Sequence, residues 1–348
     1  MTEALPRDPA ELRPGTVLAS RVRGPYTASH LVRWCAAQQN WDRIHYDRRY
    51  AVEHAHLPGP VINGALKQHL IAFHVAEVLG PGAWVHELDY RFTGPDVVGD
   101  ALRVTGTVAG VEEDGTRRVV VLQVEILNER TGEPTTVGTV RALLNRDGTP
   151  VLDALDLGEA PADESAPPES TGEGLPEAIR LRIGDELEAL GSYVPVEQGR
   201  LVLFADAVMD VPAHHFDVEA GSRSPWGTIV APPLYPIHAM VARPGTRPLS
   251  TDPDAMGREG VFEIGRDLAR IFGVPPTGLL NGGNRVRVHS LARVGETVRA
   301  TSRLVAARRR TGRRGGDMLL LETSNRYETN SGRPLMTERQ TTVFRLVG

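Results

Sequence analysis

The chain repeats itself, and a repeat constrains the fold more than any single motif does. An amphipathic stretch at 29–39 (SHLVRWCAAQQ) is followed by a turn-rich NWDRIHYD at 40–47 and an apolar run at 57–80. In the second half GRLVLFADAVM (199–209) is followed by DVPAHHFD (210–217) and WGTIVAPPLYPIHAMVA (226–242). Each half then closes in strand-like alternation rich in β-branched residues. These runs fall near 84–93, 101–109, 117–128 and 135–144, and again near 283–290, 296–307, 317–329 and 335–346. Val98-Gly99-Asp100 opens a long strand in one half and Val294-Gly295-Glu296 opens one in the other. Two units, each a helix and four antiparallel strands, predict a duplicated α+β domain. A length of 348 residues fits about two domains.

The segment 147–177 separates the units. It holds nine acidic residues and five prolines, too little apolar surface to offset the entropy of ordering, so it reads as a linker. The domains are then 1–146 and 178–348. The second carries an extra Pro-, Gly- and Asp-rich stretch near 243–276, which reads as an inserted lid or excursion. Within the first unit, apolar residues at Leu66, Leu70, Phe73, Val75, Ala76 and Leu79 predict a central helix over 64–79. A helix this apolar has to be buried, most simply by a sheet wrapped around it. Asn63 is positioned to cap it, leaving backbone N–H groups free at its start.

The string Asn40-Trp41-Asp42-Arg43-Ile44-His45-Tyr46-Asp47, with Gly64 nineteen residues after His45, resembles the MaoC-like, or type 2 enoyl-thioester hydratase, family. Members of that family carry Asp-x-Asn-Pro-x-His on a loop and a His-Gly-x-Leu-type start to the central helix. The Arg-Ile-His-Tyr-Asp ending is most similar to the branch of 3-hydroxyacyl-thioester dehydratases and mesaconyl-CoA hydratases. The resemblance implies a double hotdog fold, in which two central helices are each wrapped by an antiparallel sheet and the sheets are joined side by side. It implies hydration or dehydration of enoyl/3-hydroxyacyl thioesters on CoA or an acyl-carrier protein, with no metal or other cofactor, in a homodimer or a pseudo-dimeric monomer.

The departures bear on the chemistry. Asn40 stands at the family's Asp position, Asp42 at its Asn position, Arg43 at its Pro and Asn63 at its His before the glycine. Enoyl hydration needs a base on water, an acid at the α-carbon and a donor on the thioester oxygen. Asp42 and His45 are the expected acid–base pair and the Gly64 N–H the expected donor. If Asn40 faces the reacting centre instead, it orients water, because an amide is no base at neutral pH. Asn63 and Arg43 are expected to bind substrate. In the second half Asp210 and His215 keep the family's spacing, but Pro232 aligns with Gly64 and has no N–H to donate. That half resembles the degenerate partner domain that shapes the acyl pocket, with Asp210 and His215 contributing to substrate binding.

Two other functions compete with this one. Thioester hydrolysis on the same fold calls for a carboxylate in or near the central helix, where Glu77 at the far end is the only acid. A non-catalytic acyl-thioester binder or scaffold would account for the exchange of Asn40 and Asp42. The remaining features narrow the field. Net charge is −5, which argues against general nucleic-acid or anionic-membrane binding. No apolar run approaches a membrane span, and no signal peptide is visible, so a cytoplasmic protein is expected. Cys35 is the single cysteine and reads as packing, and Lys67 is the only lysine among 39 basic residues. His54, His56, His69 and His74 lack metal-ligand spacing. Arg308, Arg309, Arg310, Arg313 and Arg314 flank a hairpin, where they form a solvated loop or hold CoA phosphates or an acidic carrier.

Overall fold

The structure is a computed structural model that describes residues 11–157, 175, 177–241, 243, 279–311 and 317–345. The first half contains β1 (Arg21–Arg23), α1 (Ala28–Gln38), α2 (Gly64–Leu79), β2 (Trp84–Phe92), β3 (Leu102–Asp114), β4 (Arg117–Asn128) and β5 (Pro134–Asn145). The second contains α3 (Glu177–Arg180), β6 (Glu186–Gly191), α4 (Gln198–Val208), α5 (Val218–Arg223), β7 (Leu279–Val288), β8 (Val298–Thr311), β9 (Asp317–Thr329) and β10 (Pro334–Arg345). The eight long strands lie where the alternation predicts them. The short edge strands β1 and β6 carry too few residues to show a period.

All ten strands form one antiparallel sheet in the order β1-β3-β4-β5-β2-β7-β10-β9-β8-β6. Exchanging each strand for its counterpart in the other half reverses this order about the β2–β7 seam. It is the double hotdog that the family resemblance implies. Cross-strand ion pairs pin the seam: Arg287 Nε donates to Glu87 at 2.7 Å and Arg285 Nε to Asp89 at 2.8 Å.

Helix α2 begins where Asn63 Oδ1 accepts from the Ala65 N–H at 2.7 Å. It ends at Gly80, whose φ of 92° most side chains resist. Nearly every side chain from Ala65 to Val75 is buried, which is why the helix reads as apolar all round. Its counterpart in the second half is a single described turn, Tyr235–His238. The extra stretch expected near 243–276 lies outside the described residues apart from Arg243. Residues 147–157, expected to begin the linker, are docked instead. Val151 and Ala154 are buried, and their N–H groups donate to Gly82 O at 3.1 Å and His289 O at 2.8 Å. Two apolar anchors outweigh the acidic composition there. Among the described residues no helix is long and apolar enough to cross a membrane.

The core holds several neutral histidines, which gives stability a pH dependence. Burial pushes His215 and His238 down to about 3, and His74 and His289 down to about 4, from 6.5. Between 6.5 and those values the unfolded chain binds these protons and the native one does not, so stability falls as pH drops. Glu338 acts oppositely. Burial raises its carboxyl to about 7, so between 4.5 and 7 the native state holds a proton that the unfolded state releases. Burial also lowers His30, His69, His86 and His214, so the histidines outweigh Glu338 and leave a net uptake of protons on unfolding. Each net proton is worth about 1.4 kcal/mol per pH unit. The melting temperature is therefore expected to fall from pH 6.5 to 4, and a flat profile over that range would contradict the assignment.

Candidate active site

The loop after α1 is folded by its own side chains. Gln39 takes a left-handed conformation, φ 59°, and the Asn40 N–H donates to Cys35 O at 2.9 Å. Asn40 Oδ1 accepts from the Asp42 N–H at 3.1 Å, and Asp42 Oδ1 from the Ile44 N–H at 3.2 Å. Asp42 thereby caps the short turn Arg43–His45 and aims the imidazole at the entry to α2. There His45 Nδ1 lies 2.8 Å from Val61 O and Nε2 lies 3.1 Å from Asn63 Nδ2. A carbonyl only accepts, so Nδ1 carries the hydrogen and Nε2 keeps a lone pair. The orientation of Asn63 is set independently, because its oxygen is committed to capping α2.

These groups border a cavity of about 340 Å³. Asn40, His45, Asn63, Gly64 and Lys67 line it from the first half, and Leu280, Asn281, Gln340 and Thr342 from the second. Gly64 is the first residue of α2, so its N–H has no partner inside the helix. A Cβ there would come within 2.6 Å of the tip of the Phe92 ring, so any side chain at this position has to displace the ring. Lys67, one turn further on, pairs with the fully buried Asp96. Asp96 also accepts from Asn128 Nδ2 at 2.8 Å and Thr135 Oγ1 at 2.7 Å. Burial lowers the Lys67 pKa and Asp96 opposes that shift. Gln38, buried beside Asn40, has an Nε2 without a partner among the described residues.

The structure departs from the sequence reading in several places. Asn40 lines the cavity and Asp42 does not; the Asp42 carboxylate is turned to its capping role. Arg43 is also outside the lining. It binds Asp47, with Nη2 at 2.6 Å, and lies 4.9 Å over the Tyr50 ring. Asp210 faces Arg21 and Arg23 from the first half, beside a void of only about 10 Å³. His215 Nδ1 lies 2.8 Å from Val230 O and the ring is buried. Neither Asp210 nor His215 reaches the main cavity. The second half contributes to it through β7 and β10.

The repeat also corrects one alignment. His45 to Val61 O matches His215 to Val230 O, and the bridge Val61–Val97 matches Val230–Arg293. Asn63 then corresponds to Pro232 and Gly64 to Pro233, one residue beyond the expected partner. Neither proline has an N–H, so the second half lacks the donor at both positions.

Other groups singled out in the sequence fall elsewhere. Burial raises the Cys35 thiol to about 12, which suits packing. Glu77 pairs with Arg21. His69 Nε2 meets His238 Nε2 at 2.9 Å across the two halves. Arg309 pairs with Asp317 and Arg308 with Glu322, while Arg313 and Arg314 lie outside the described residues. Among the described residues no three potential metal ligands come together.

Comparison with known proteins shows what each half resembles. Residues 19–98 match the hydroxyacyl-thioester dehydratase type 2 model, and residues 182–338 match the FAS1-like dehydratase domain region. Both halves are thus matched by dehydratase models. The chain is similar to hydroxyacyl-thioester dehydratases in both halves, and its fold is the double hotdog of MaoC-like dehydratases. The chain superposes over its whole length on a MaoC domain protein from Chloroflexus aurantiacus, with a TM-score of 0.65, 13% identity and 100% of each chain covered. Rv0216 of Mycobacterium tuberculosis, a double hotdog protein, gives 0.62 at 15% identity, covering 98% of this chain and 99% of that one. A MaoC-like dehydratase from Phytophthora capsici gives 0.54 at 12%, covering 97% and 98%. Identities this low speak for the fold alone. No curated protein is matched by the sequence.

Several residues of the cavity wall escaped the sequence reading. Gln340 and Thr342 sit on the inward face of β10, where polar residues leave no apolar alternation to read. Lys67 is conspicuous as the chain's one lysine, but nothing in the sequence brings Asp96 to it.

Proposed function

We propose that the chain hydrates 2-enoyl thioesters, or dehydrates 3-hydroxyacyl thioesters, at the His45–Gly64 cavity. The observation that carries the reading is the His45 tautomer. Its hydrogen is committed to Val61 O, and its Nε2 lone pair lies at the cavity beside Asn40. A water placed by the Asn40 amide competes with Asn63 for that lone pair. His45 Nε2 takes a proton from the water, its hydroxyl bonds to C3, and the π electrons move to the thioester oxygen as an enolate. The Gly64 N–H at the start of α2 stabilises that oxygen, aided by the helix dipole. His45 then returns the proton to C2. The hydroxyl and hydrogen added to the double bond are those of one water, and dehydration runs the same path backwards. One imidazole serves both proton transfers in this reading, since the described residues of the cavity wall include no carboxylate.

The two loop positions are separable. Asp42→Asn retains a good cap and is expected to leave turnover within a few-fold of the parent. Asn40→Ala leaves the water unplaced and is expected to cost up to about 10²-fold. Steady-state rates of the two variants decide between them, and a severe Asp42→Asn with a mild Asn40→Ala would restore Asp42 as the base.

Crotonyl-CoA and a longer 2-enoyl-CoA, followed for loss of enoyl absorbance and separately for free thiol, test the whole reading. Enoyl loss without thiol supports a hydratase. Thiol release indicates a thioesterase, and binding with neither indicates an acyl-thioester binder. CoA and a carrier protein are both suitable carriers, since the chemistry involves only the thioester end.

A further inference from the structure

The far wall of the cavity is more polar than a plain alkyl chain requires. Gln340 and Thr342 are 8% and 6% exposed. Both line the cavity, and neither side chain has a hydrogen-bond partner among the described residues. Asn281 beside them uses its oxygen to hold the Gly283 N–H at 2.9 Å, which leaves its amide N–H₂ for the cavity. Buried polar groups are normally satisfied, and those that are not mark a place where a ligand supplies the partner. An alkyl chain laid against Gln340 and Thr342 would leave them permanently unpaired.

Their place in the sheet says which part of a thioester they meet. Strand β7 lies between β2 and β10. Gln340 and Thr342 therefore stand two strand spacings, about 10 Å, from Phe92 and the helix start packed on it. That is well beyond C3, where the reaction ends. The next inward residue on β10, Glu338, is 1% exposed. It is already engaged by Asn284 Nδ2 at 2.6 Å, and by Asn325 Nδ2 and Tyr327 Oη at 3.1 Å. The wall thus continues into a closed polar network, whereas a charged CoA or carrier protein has to leave toward solvent. The acyl tail, not the thiol arm, points at β10.

We infer that the preferred substrate is an enoyl thioester whose acyl chain carries a hydroxyl or oxo oxygen beyond C3, hydrogen-bonded by Gln340 and Thr342. This rests on the hydratase reading for the reacting end, and the test separates the two. The substrates are 2-octenoyl-CoA and its 5-hydroxy and 7-hydroxy derivatives. One hydroxylated thioester is expected to exceed the parent in kcat/KM by about tenfold or more, since a site built to hydrogen-bond a hydroxyl discriminates against its absence. The double variant Gln340→Leu, Thr342→Val is expected to reverse the order, improving the plain chain and weakening the hydroxylated one. The near-isosteric Thr342→Val alone is expected to shift it in the same direction, should the double variant fold poorly. Calorimetric binding of octanoyl-CoA and 7-hydroxyoctanoyl-CoA, which have nothing to hydrate or dehydrate, gives the same comparison without turnover. A binding preference for the hydroxylated chain upholds this inference even if no enoyl thioester is hydrated. Equal handling of plain and hydroxylated chains overturns it while leaving hydration intact. Equal losses for all thioesters in the variants, crotonyl-CoA included, overturn it by assigning Gln340 and Thr342 to the thiol arm.

Discussion

His45→Ala is expected to lower turnover by about 10²–10⁴-fold, the range for a positioned general acid–base group, in a protein that remains folded. The size follows from the geometry. Among the described residues no other side chain at the cavity combines an acceptor imidazole nitrogen with a fixed orientation. Asn40 and Asn63 are amides, and the Lys67 ammonium is committed to Asp96. His45→Gln sharpens the test, because glutamine presents an oxygen to the Asn63 amide yet cannot carry a proton through the reaction. Both variants are expected to be inactive while keeping the melting curve close to that of the parent. If either turns over thioester near the parental rate with its fold intact, the proton is moved by another group, and Asp42 is the next to test.

Much of the architecture was legible because the strand alternation recurs. The apolar run of Gly64–Leu79 and the alternation of eight long strands are local properties of the chain, and the repetition of the strands in the same order announces the duplicated sheet. On β10 the buried face reads Glu338, Gln340, Thr342, so hydropathy reports no inward face there, and the polar wall appears only once the strands are paired. The loop motif was equally ambiguous. Asn40 and Asp42 are two residues apart with exchanged identities, and which one faces the cavity depends on the left-handed turn at Gln39 and on the capping of Ile44. No spacing rule contains either. The proline in the second half was displaced by one because sequence similarity there is weak, whereas the paired bridges to Val97 and Arg293 fix the register.

Gly64 offers the other large effect, together with its own control. Gly64→Pro removes the one N–H assigned to the thioester oxygen while respecting the backbone. Proline is favoured at the first residue of a helix, and Asn63 already has the extended conformation, φ −63° and ψ 134°, that precedes a proline comfortably. What proline does not respect is Phe92, whose ring would lie 2.6 Å from the new Cβ. Gly64→Ala meets the same ring and retains the N–H. The ratio of the two variants therefore isolates donation from crowding. A single oxyanion donor is worth ~2.7–4 kcal/mol in the transition state, so the proline variant is expected to be slower than the alanine variant by about 10²–10³-fold in kcat. The second half supplies a natural counterpart. With Pro232 and Pro233 at the matching turn it has His215 and Asp210 but no donor, and Arg21 and Arg23 already engage Asp210. Pro233→Gly alone is thus expected to create no second site, while Asp210→Ala combined with His215→Ala is expected to disturb stability more than rate. Equal rates for Gly64→Ala and Gly64→Pro would remove the backbone N–H from the mechanism. A folded Asp210/His215 double variant as inactive as His45→Ala would move the chemistry out of the first half.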